Sequence, residues 1–373
     1  MARLIIMSIF FLLSLLNIFR APLNILWYVS ILTTEFCWIF FTAVLLLLVF
    51  RFGSEKYYWF SNMAGIASLL FFSIPVIQAY RISNHLNQRF SAVFNKDISP
   101  TTHPFTLSVV LTGINANQII PRSIVYSSTD SLALDFYPSQ TAGTYPCVIV
   151  IHGGSWAGGD KEQLPELNSY LVKQGYHVAS INYRLAPENI YPSPIEDVGK
   201  TIHYLKANAG RLHIDPNNFV LLGRSAGGQI ALDAAYSLRD PSIKGVISYY
   251  GPTDMVWGYA HPANPLVLDS KKIMEEYLGG TYRQVPGSYV KSSATETATK
   301  NSVPTLLIQG KNDPLVAYDH CNRLDKKLEQ CHVRHFVLRL PWATHGCDYT
   351  LNGPAGQLST YVTMRFLKNV FTD

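Results

Sequence analysis

Hydrophobic and polar positions divide the chain into a strongly apolar first part and a longer part in which short apolar runs alternate with helical patterns. The first part contains three apolar stretches, at residues 4–19, 22–50 and 57–80. About 20 consecutive apolar residues cross the hydrocarbon core of a bilayer as a helix. The pattern therefore predicts a membrane region over residues 1–80, with about three transmembrane helices and a multi-pass integral membrane protein.

Two features of this region remain open at the level of sequence. Residues 4–19 span only about 24 Å as a helix, so they form either a short retained helix or the core of a signal peptide. No small-x-small cleavage site follows them, which favours a retained helix. Glu35 interrupts the second stretch and is either a functional intramembrane carboxylate or, more simply, one placed near the interface or paired within the bundle. The flanking basic residues divide almost evenly, so no orientation is predicted.

Residues 81–118 turn polar and predict a juxtamembrane linker. From residue 119 to residue 373 the alternation predicts an α/β domain with a mostly parallel sheet, because strands buried on both faces form continuous apolar runs. The predicted strands are 123–126, 132–137, 147–151, 178–182, 219–222, 245–249, 305–309 and 335–340. The predicted helices are 163–173, 194–209, 226–238, 319–330 and 356–370.

One connection in this domain, residues 253–303, is too long for a simple loop and predicts a small cap over the site. Residues 270–278 are expected to be helical, and residues 292–300 are expected to be polar and mobile. Three aromatic residues, Trp156, Trp257 and Tyr259, either line a substrate pocket or pack the cap.

Charge and cysteine content exclude several classes of protein. The net charge of +5 is modest and its basic residues are scattered, which is not the pattern of a nucleic-acid-binding surface. The five cysteines form no C-x-x-C pair and no Cys/His spacing typical of a zinc site. A single disulfide, such as Cys331 to Cys347, stays possible.

The stretch from Val220 to Gly228 has the pattern of a nucleophile elbow. An apolar strand turns directly into a helix, and the turn has the sequence G-x-S-x-G with Ser225 at its centre. Gly223 and Gly227 leave room where a Cβ would clash. Ser225 is therefore the predicted nucleophile.

A second glycine-rich turn, His152-Gly153-Gly154-Ser155, follows the apolar strand that ends at residue 151. Attack on an ester carbonyl makes its oxygen negative, and backbone N–H groups aimed at that oxygen stabilise the charge. The expected donors are the N–H groups of Gly154, Ser155 and Ala226, with Gly153 as a possible substitute for one of them. His152 is expected to brace its own loop.

The base and its acidic partner are expected after the serine, in the order Ser, Asp/Glu, His. Asp313 and His345 each lie in a loop that follows a predicted strand, at the sheet edge where α/β folds bind ligands. Asp254 also follows a strand and is the alternative acid. His320, His332 and His335 are interpreted as ordinary surface or strand residues.

These motifs together resemble the α/β-hydrolase superfamily. Within it, the closest similarity is to carboxylesterases related to hormone-sensitive lipase and to the bacterial feruloyl-esterase-like branch. The resemblance covers residues 119–373, and it implies an eight-stranded sheet, a Ser225/Asp313/His345 triad, and neither a metal nor an organic cofactor. Two features depart from the pattern: Ser155 replaces a third glycine, and the N-terminal membrane region is not usual.

The sequence thus predicts a membrane-anchored serine hydrolase that cleaves carboxylic esters through an acyl-enzyme. Its expected substrate is a small-molecule or lipid-derived ester, and its expected partner is the membrane, not nucleic acid. A serine peptidase or amidase is the alternative enzyme. The alternative from a different functional class is a binding protein that has the same fold and no catalytic activity.

Overall fold

One eight-stranded sheet organises the longer part of the chain. The computed structural model describes residues 1–50, 55–94, 103–113 and 118–371, so two parts of the predicted linker, 95–102 and 114–117, lie outside the described residues. The strands are β1 (Arg122–Ser127), β2 (Leu132–Tyr137), β3 (Tyr145–Ile151), β4 (His177–Ile181), β5 (Ile214–Arg224), β6 (Ile243–Tyr249), β7 (Thr305–Gly310) and β8 (His335–Leu340).

The strand order is β1-β2-β4-β3-β5-β6-β7-β8. Strand β2 pairs antiparallel with β1 and β4, whereas all pairs among β3 to β8 are parallel. Every predicted strand is present, and the predicted α/β fold with eight strands is confirmed. Parallel order brings the ends of β3, β5, β7 and β8 to one edge of the sheet, where the loops with the predicted site residues begin.

The described part of the chain contains fifteen α-helices. Ten are longer than six residues: α1 (Ala2–Ser14), α2 (Asn24–Glu35), α3 (Cys37–Val49), α4 (Tyr58–Phe94), α6 (Pro165–Lys173), α7 (Ser193–Ala207), α9 (Ala226–Ser237), α11 (Ser270–Leu278), α14 (Asp319–Gln330) and α15 (Pro354–Val370). The short ones are α5 (Leu107–Thr112), α8 (Ala209–Leu212), α10 (Met255–Ala260), α12 (Pro286–Lys291) and α13 (Ala294–Thr297).

Helices cover both faces of the sheet. Alternate residues of β3 divide between two cores, with Ile149 in one and Val148 in the other. The first core is completed by α7, α9, α11 and α14, and the second by α6, α15 and the C-terminal half of α4. Burial on both faces explains why the strands have apolar runs instead of alternating patterns.

The N-terminal region does not contain the three predicted membrane spans. Helix α1 has 13 residues, and α2 and α3 meet at Phe36 with a bend of 80°. Among the described residues, only α4 is by itself long and apolar enough to cross a membrane, and the bent pair could at most add one broken span. The apolar composition identified residues that form helices, but it could not show where one helix ends and the next begins.

Helix α4 runs without interruption through the predicted boundary at residue 80. Its first half packs with α1 and α3 around Met7, Val44 and Phe72, and its second half joins the sheet core through Leu86 and Phe90. We call α1, α3 and the first half of α4 the helical bundle. Its outer surface is apolar, with exposed residues that include Ile5, Ile9, Leu12, Leu45, Leu46, Val49, Phe60, Met63, Ile66 and Leu70.

Glu35 is not paired within the helical bundle. Its Oε2 accepts hydrogen bonds from the backbone N–H groups of Ala355, at 3.0 Å, and Gly356, at 3.3 Å. These N–H groups belong to the first turn of α15, which has no helical partners for them. The carboxyl group therefore caps a helix of the sheet domain.

The connection predicted as a cap contains α10 to α13, and α11 has the predicted bounds. The expectation that residues 292–300 are mobile is wrong for its first part. Ser292 and Ser293 are buried, and the Ser293 hydroxyl accepts the Met255 N–H at 2.8 Å. All five cysteines are free, so the possible Cys331–Cys347 bridge is not formed.

Candidate active site

The turn between β5 and α9 holds Ser225 in a backbone conformation that few residues adopt, with φ 53° and ψ −121°. A Cβ on Gly223 would lie 1.9 Å from the carbonyl oxygen of Gly227. A Cβ on Gly227 would lie 2.2 Å from the carbonyl oxygen of Ile151. Both glycines are thus required for the strand and helix to meet this closely, and the serine is held at the apex.

The structure brings Ser225, His345 and Asp313 into one chain of hydrogen bonds. His345 Nε2 lies 2.9 Å from Ser225 Oγ, and His345 Nδ1 lies 2.7 Å from Asp313 Oδ2. With the proton on Nδ1, the ring donates to the carboxylate and accepts from the serine hydroxyl. This is the geometry in which an imidazole can remove a serine proton while a carboxylate stabilises the resulting cation.

Asp313 is held firmly by its own loop. Its Oδ1 accepts the backbone N–H groups of Leu315, at 2.8 Å, and Val316, at 2.9 Å. Its Oδ2 also accepts the Gln309 side-chain amide at 3.1 Å. The carboxylate is almost fully buried, so these bonds fix the oxygen that faces His345.

Asp254, the alternative acid, is engaged elsewhere. Its Oδ1 caps α10 by accepting the Trp257 N–H at 2.8 Å, and its Oδ2 accepts from Arg323 Nε at 2.7 Å. Neither oxygen is hydrogen-bonded to His345. Asp254 therefore stabilises the start of the cap.

The glycine-rich turn after β3 lies against the elbow. Gly154 and Ser155 both have positive φ, 125° and 55°. The Gly153 N–H donates to Gln163 Oε1 at 2.8 Å, whereas those of Gly154, Ser155 and Ala226 have no hydrogen-bond partner among the described residues. The open alternative of Gly153 as a donor is thus disfavoured, and the three expected donors are free.

His152 supports this turn, as its sequence position suggests. Its Nδ1 lies 2.7 Å from the Gly153 carbonyl oxygen, and its ring stacks on Tyr183 with centroids 4.3 Å apart. Burial lowers the pKa of this imidazole below its usual value. A neutral, buried ring is suited to bracing a loop.

A cavity of about 340 Å³ opens beside Ser225. Its lining is mostly apolar and includes Trp156, Met255, Leu268, Ile273, Met274 and Leu315. Trp156 is fixed there by stacking on Tyr277, with centroids 4.6 Å apart, and by donating to Gln229 Oε1 at 2.9 Å. The cavity would take an apolar group attached to a carbonyl that reaches the serine.

Trp257 and Tyr259 do not line this cavity. The Trp257 ring stacks on His261 and lies edge-on to His320, while the Tyr259 hydroxyl donates to Glu275 at 2.5 Å. Of the two roles open to them from the sequence, these residues have the packing role. Their helix α10 turns this face away from the site.

His320 is not an ordinary surface residue. It lines the cavity from the start of α14, and its Nδ1 accepts the Asp254 N–H at 3.3 Å. Burial lowers its pKa to about 4, despite the nearby carboxylates of Asp254 and Asp313. His320 is therefore a neutral wall of the cavity at ordinary pH.

A buried cluster of charged and polar side chains packs against the His345 ring. Arg224 Nε donates to Asp348 Oδ2 at 2.5 Å, and the Tyr250 hydroxyl donates to Asp348 Oδ1. The Tyr250 ring lies 4.4 Å from the His345 ring, centroid to centroid. Among the described residues, no group of three or more His, Cys, Asp or Glu side chains is placed to hold a metal ion.

Sequence reasoning missed the contribution of the N-terminal region to this site. Arg20, Ala21 and Pro22 line the cavity, and the Trp27 indole N–H donates to the His345 carbonyl oxygen at 2.9 Å. The signal that could have been used is polar: Ser30, Thr33, Thr34 and Glu35 interrupt an apolar stretch, and all four are buried in the structure.

The sheet, the elbow and the loops at one edge define an α/β-hydrolase fold. Solved structures agree: a bacterial heroin esterase superimposes with a TM-score of 0.60 at 21% identity, over 71% of this chain and 88% of its own. A truncated carbohydrate esterase from gut microbiota gives a TM-score of 0.57 at 21% identity, over 69% of this chain and 99% of its own. At such low identity, these structures show the fold alone.

Residues 134–328, just over half of the chain, match the BD-FAE family. The chain therefore belongs to this family, and the similarity to carboxylesterases expected from its motifs is confirmed. His345 and the N-terminal region lie outside the matched residues.

Two curated relatives come from Mycobacterium tuberculosis. The probable carboxylic ester hydrolase LipM is 27% identical over 61% of this chain and 55% of its own length. Esterase LipC is 26% identical over 67% of this chain and 65% of its own length. The chain thus spans less than two thirds of either relative.

Proposed function

We propose that this protein is a serine hydrolase that cleaves carboxylic esters through an acyl-enzyme. The observation that carries this proposal is the hydrogen-bonded chain from Ser225 through His345 to Asp313 beside an apolar cavity. The names of the curated relatives, which are ester hydrolases, support the same reaction class.

In the first half of the reaction, Ser225 Oγ attacks the ester carbonyl while its proton passes to His345 Nε2. Asp313 stabilises the imidazolium through Nδ1. The carbonyl electron pair moves to its oxygen, which accepts hydrogen bonds from the free N–H groups of Gly154, Ser155 and Ala226. The C–O bond to the alcohol then breaks, and His345 returns the proton to that oxygen.

In the second half, a water molecule attacks the acyl-enzyme. His345 accepts the proton of this water, the same N–H groups hold the oxyanion, and the bond to Ser225 Oγ breaks as His345 protonates it. Each oxyanion donor of this kind contributes about 3 kcal/mol of transition-state stabilisation. The products are a carboxylic acid and an alcohol.

We further propose that the helical bundle holds the catalytic domain at a membrane. Its exposed apolar surface is unusual for a protein that meets only water, since large apolar patches mark contact surfaces. Helices α1 and α3 are each about 20 Å long, shorter than the hydrocarbon core, so α4 is the principal anchor. The substrate class that fits an apolar cavity beside this bundle is a small or lipid-derived ester.

Labelling with a fluorophosphonate tests the reaction class, because this probe forms a bond only with an activated serine. We expect the wild-type protein to be labelled and Ser225→Ala to be unlabelled. Ser288→Ala, on the cap helix α12, is the matched control and should be labelled like the wild type. A folded wild-type protein that takes no label would overturn the proposal and indicate a silent binding scaffold.

A panel of p-nitrophenyl esters and matching p-nitroanilides separates esterase from amidase or peptidase. We expect hydrolysis of esters with short and medium acyl chains and at least about 100-fold slower cleavage of the anilides. Preferential cleavage of anilides or peptides would replace the esterase assignment with a peptidase, while leaving the roles of Ser225 and His345 intact.

A further inference from the structure

Helix α2 lies directly against the loop that carries His345. The indole N–H of Trp27 donates to the His345 carbonyl oxygen at 2.9 Å, and the two rings are edge-to-face with centroids 5.9 Å apart. One turn later, the Ser30 hydroxyl donates to Thr344 Oγ1 at 3.0 Å. Ile31 Cδ1 would touch a Cβ added to Gly346, at 3.3 Å.

These contacts follow helical geometry. Residues 27, 30 and 31 lie on one side of a helix, and they contact three consecutive residues of the loop, 344 to 346. Glu35 continues the same side one turn further, where it caps α15. The part of α2 from Trp27 to Glu35 therefore holds the segment between β8 and α15.

The His345 segment needs an external support because it lies outside regular secondary structure. Residues 341–353 between β8 and α15 contain no helix or strand, and Gly346 has a positive φ of 77°. The side chain of His345 is fixed at Nδ1 by Asp313, but its backbone position is fixed from the other side by Trp27. Small displacements of a catalytic group can reduce the rate by orders of magnitude.

The chain before α2 also joins the second catalytic loop. Arg20 Nε donates to the carbonyl oxygen of Lys311, two residues before Asp313, at 3.2 Å. Asn24 donates through its backbone N–H to the Leu266 carbonyl oxygen and through its side chain to that of Val267. The segment from Arg20 to Glu35 thus links the two triad loops and the cap.

We propose that Trp27 is a positioning residue of the hydrolase: its indole N–H, through the backbone of His345, holds the imidazole in line with Ser225. This inference rests on the proposed function. It adds an element from outside the residues that match the family, and it makes the N-terminal region part of the catalytic unit.

Trp27→Phe tests the proposal because it keeps an aromatic ring and removes the N–H donor, and the control below makes the same loss of ring volume at an exposed position. We expect kcat for a short p-nitrophenyl ester to fall about 10-fold, with KM changed less than two-fold. Ser30→Ala should change kcat in the same direction and less, since its partner is Thr344 and not His345. Trp59→Phe is the matched control, since Trp59 lies in the same N-terminal region and is exposed.

A double variant separates positioning from general packing. If Trp27 acts through His345, then Trp27→Phe should slow fluorophosphonate labelling in the wild-type background and have no further effect in a His345→Ala background. The free energy of unfolding is measured for each variant, so that a loss of folded protein is recognised.

Three results would overturn the proposal: unchanged kcat in Trp27→Phe, a change confined to KM, or an equal loss in the His345→Ala background. A wild-type protein that is not labelled at all would remove the proposed function, and this inference with it. A wild-type protein that is labelled, with Trp27→Phe indistinguishable from it, would remove only the role of Trp27.

Discussion

Helices α2 and α3 are neighbours of nearly equal length, 12 and 13 residues, but they differ in the side chains that they bury. Helix α3 buries little besides Cys37 and Val44 and exposes large apolar side chains, among them Leu45, Leu46 and Val49. Helix α2 buries polar side chains, namely Ser30, Thr33, Thr34 and Glu35. The bend of 80° at Phe36 separates them.

This difference shows that an apolar stretch can contain two structural units. Helix α3 turns its apolar side chains outwards, which suits lipid, and belongs to the helical bundle. Helix α2 turns Trp27 and Glu35 towards the sheet domain, where they pair with the His345 carbonyl oxygen and with the first N–H groups of α15. Average hydropathy hides this distinction, because it does not record on which side of a helix the polar residues lie.

The largest expected effect concerns the apolar surface of α3. Changing Leu45 and Leu46 together to Lys should lower the share of the protein that is found in the membrane fraction of expressing cells, while α4 remains as the principal anchor. Each buried lysine at the centre of a membrane helix costs about 3 kcal/mol on insertion scales. Fractionation followed by immunoblotting measures the distribution.

Val125→Lys on β1 is the control, because Val125 is also exposed and apolar but belongs to the sheet domain. It should leave the distribution unchanged. If the α3 double variant stays in the membrane fraction as the wild type does, α3 does not contribute to the anchor.

An intermediate effect is expected for Glu35 on α2. Glu35→Ala leaves the N–H groups of Ala355 and Gly356 without their acceptor and should reduce the free energy of unfolding by about 3 kcal/mol. Glu35→Gln keeps an acceptor oxygen and should cost less. Denaturant unfolding in detergent measures both, and Leu46→Ala on the exposed side of α3 should cost little.

A second substitution isolates the contact. A Cβ added to Gly353 would lie 2.1 Å from Glu35 Oε2, and Gly353 has an ordinary φ of −66°. Gly353→Ala should therefore destabilise the wild type more than the Glu35→Ala variant. Equal costs in the two backgrounds would show that Glu35 does not occupy this position.

The smallest effect is expected for His320, a residue of the sheet domain that lines the cavity. Its pKa is about 4 in the folded protein, lowered by burial from 6.5. Below pH 6.5 the unfolded chain binds a proton that the folded one does not, so the stability that this residue contributes falls as pH decreases, and the decrease levels off below about pH 4. The charged groups around it are Asp254, Asp313, Arg323 and Asp319.

Between pH 7 and pH 5 this linkage should remove about 2 kcal/mol from the free energy of unfolding. His320→Gln keeps an acceptor for the Asp254 N–H and cannot be protonated, so its stability should fall less over the same range. Thermal unfolding at both pH values measures the difference. Parallel pH dependences for the two proteins would contradict a buried, neutral His320.

Much of the sheet domain could be predicted from the sequence because each local signal agreed with the fold. Continuous apolar runs predicted all eight strands, since strands covered on both faces need no polar side. The close approaches at Gly223 and Gly227 can be made only by glycine, and this requirement made the elbow recognisable. The order of Ser225, Asp313 and His345 along the chain then selected the residues that the structure brings together.

Other features depended on contacts between distant residues. Trp257 and Tyr259 could not be assigned to the cavity or to the cap, because the direction of a side chain on a short helix depends on the packing of that helix. His320 could not be separated from the neighbouring histidines. Its burial follows from the cap that closes over α14, which no local pattern records.

By itself, the sequence determined the strands, the turn that holds the serine and the apolar character of the first eighty residues, because these depend on the properties of neighbouring side chains. Only the tertiary structure decided which apolar helix faces outwards and which supports the site. Trp27 and His345 are 318 residues apart, and their hydrogen bond exists only because α2 turns away from α3 and packs on the sheet domain. Hydropathy measures how strongly a segment avoids water, but it does not distinguish lipid from protein as the surface that replaces it.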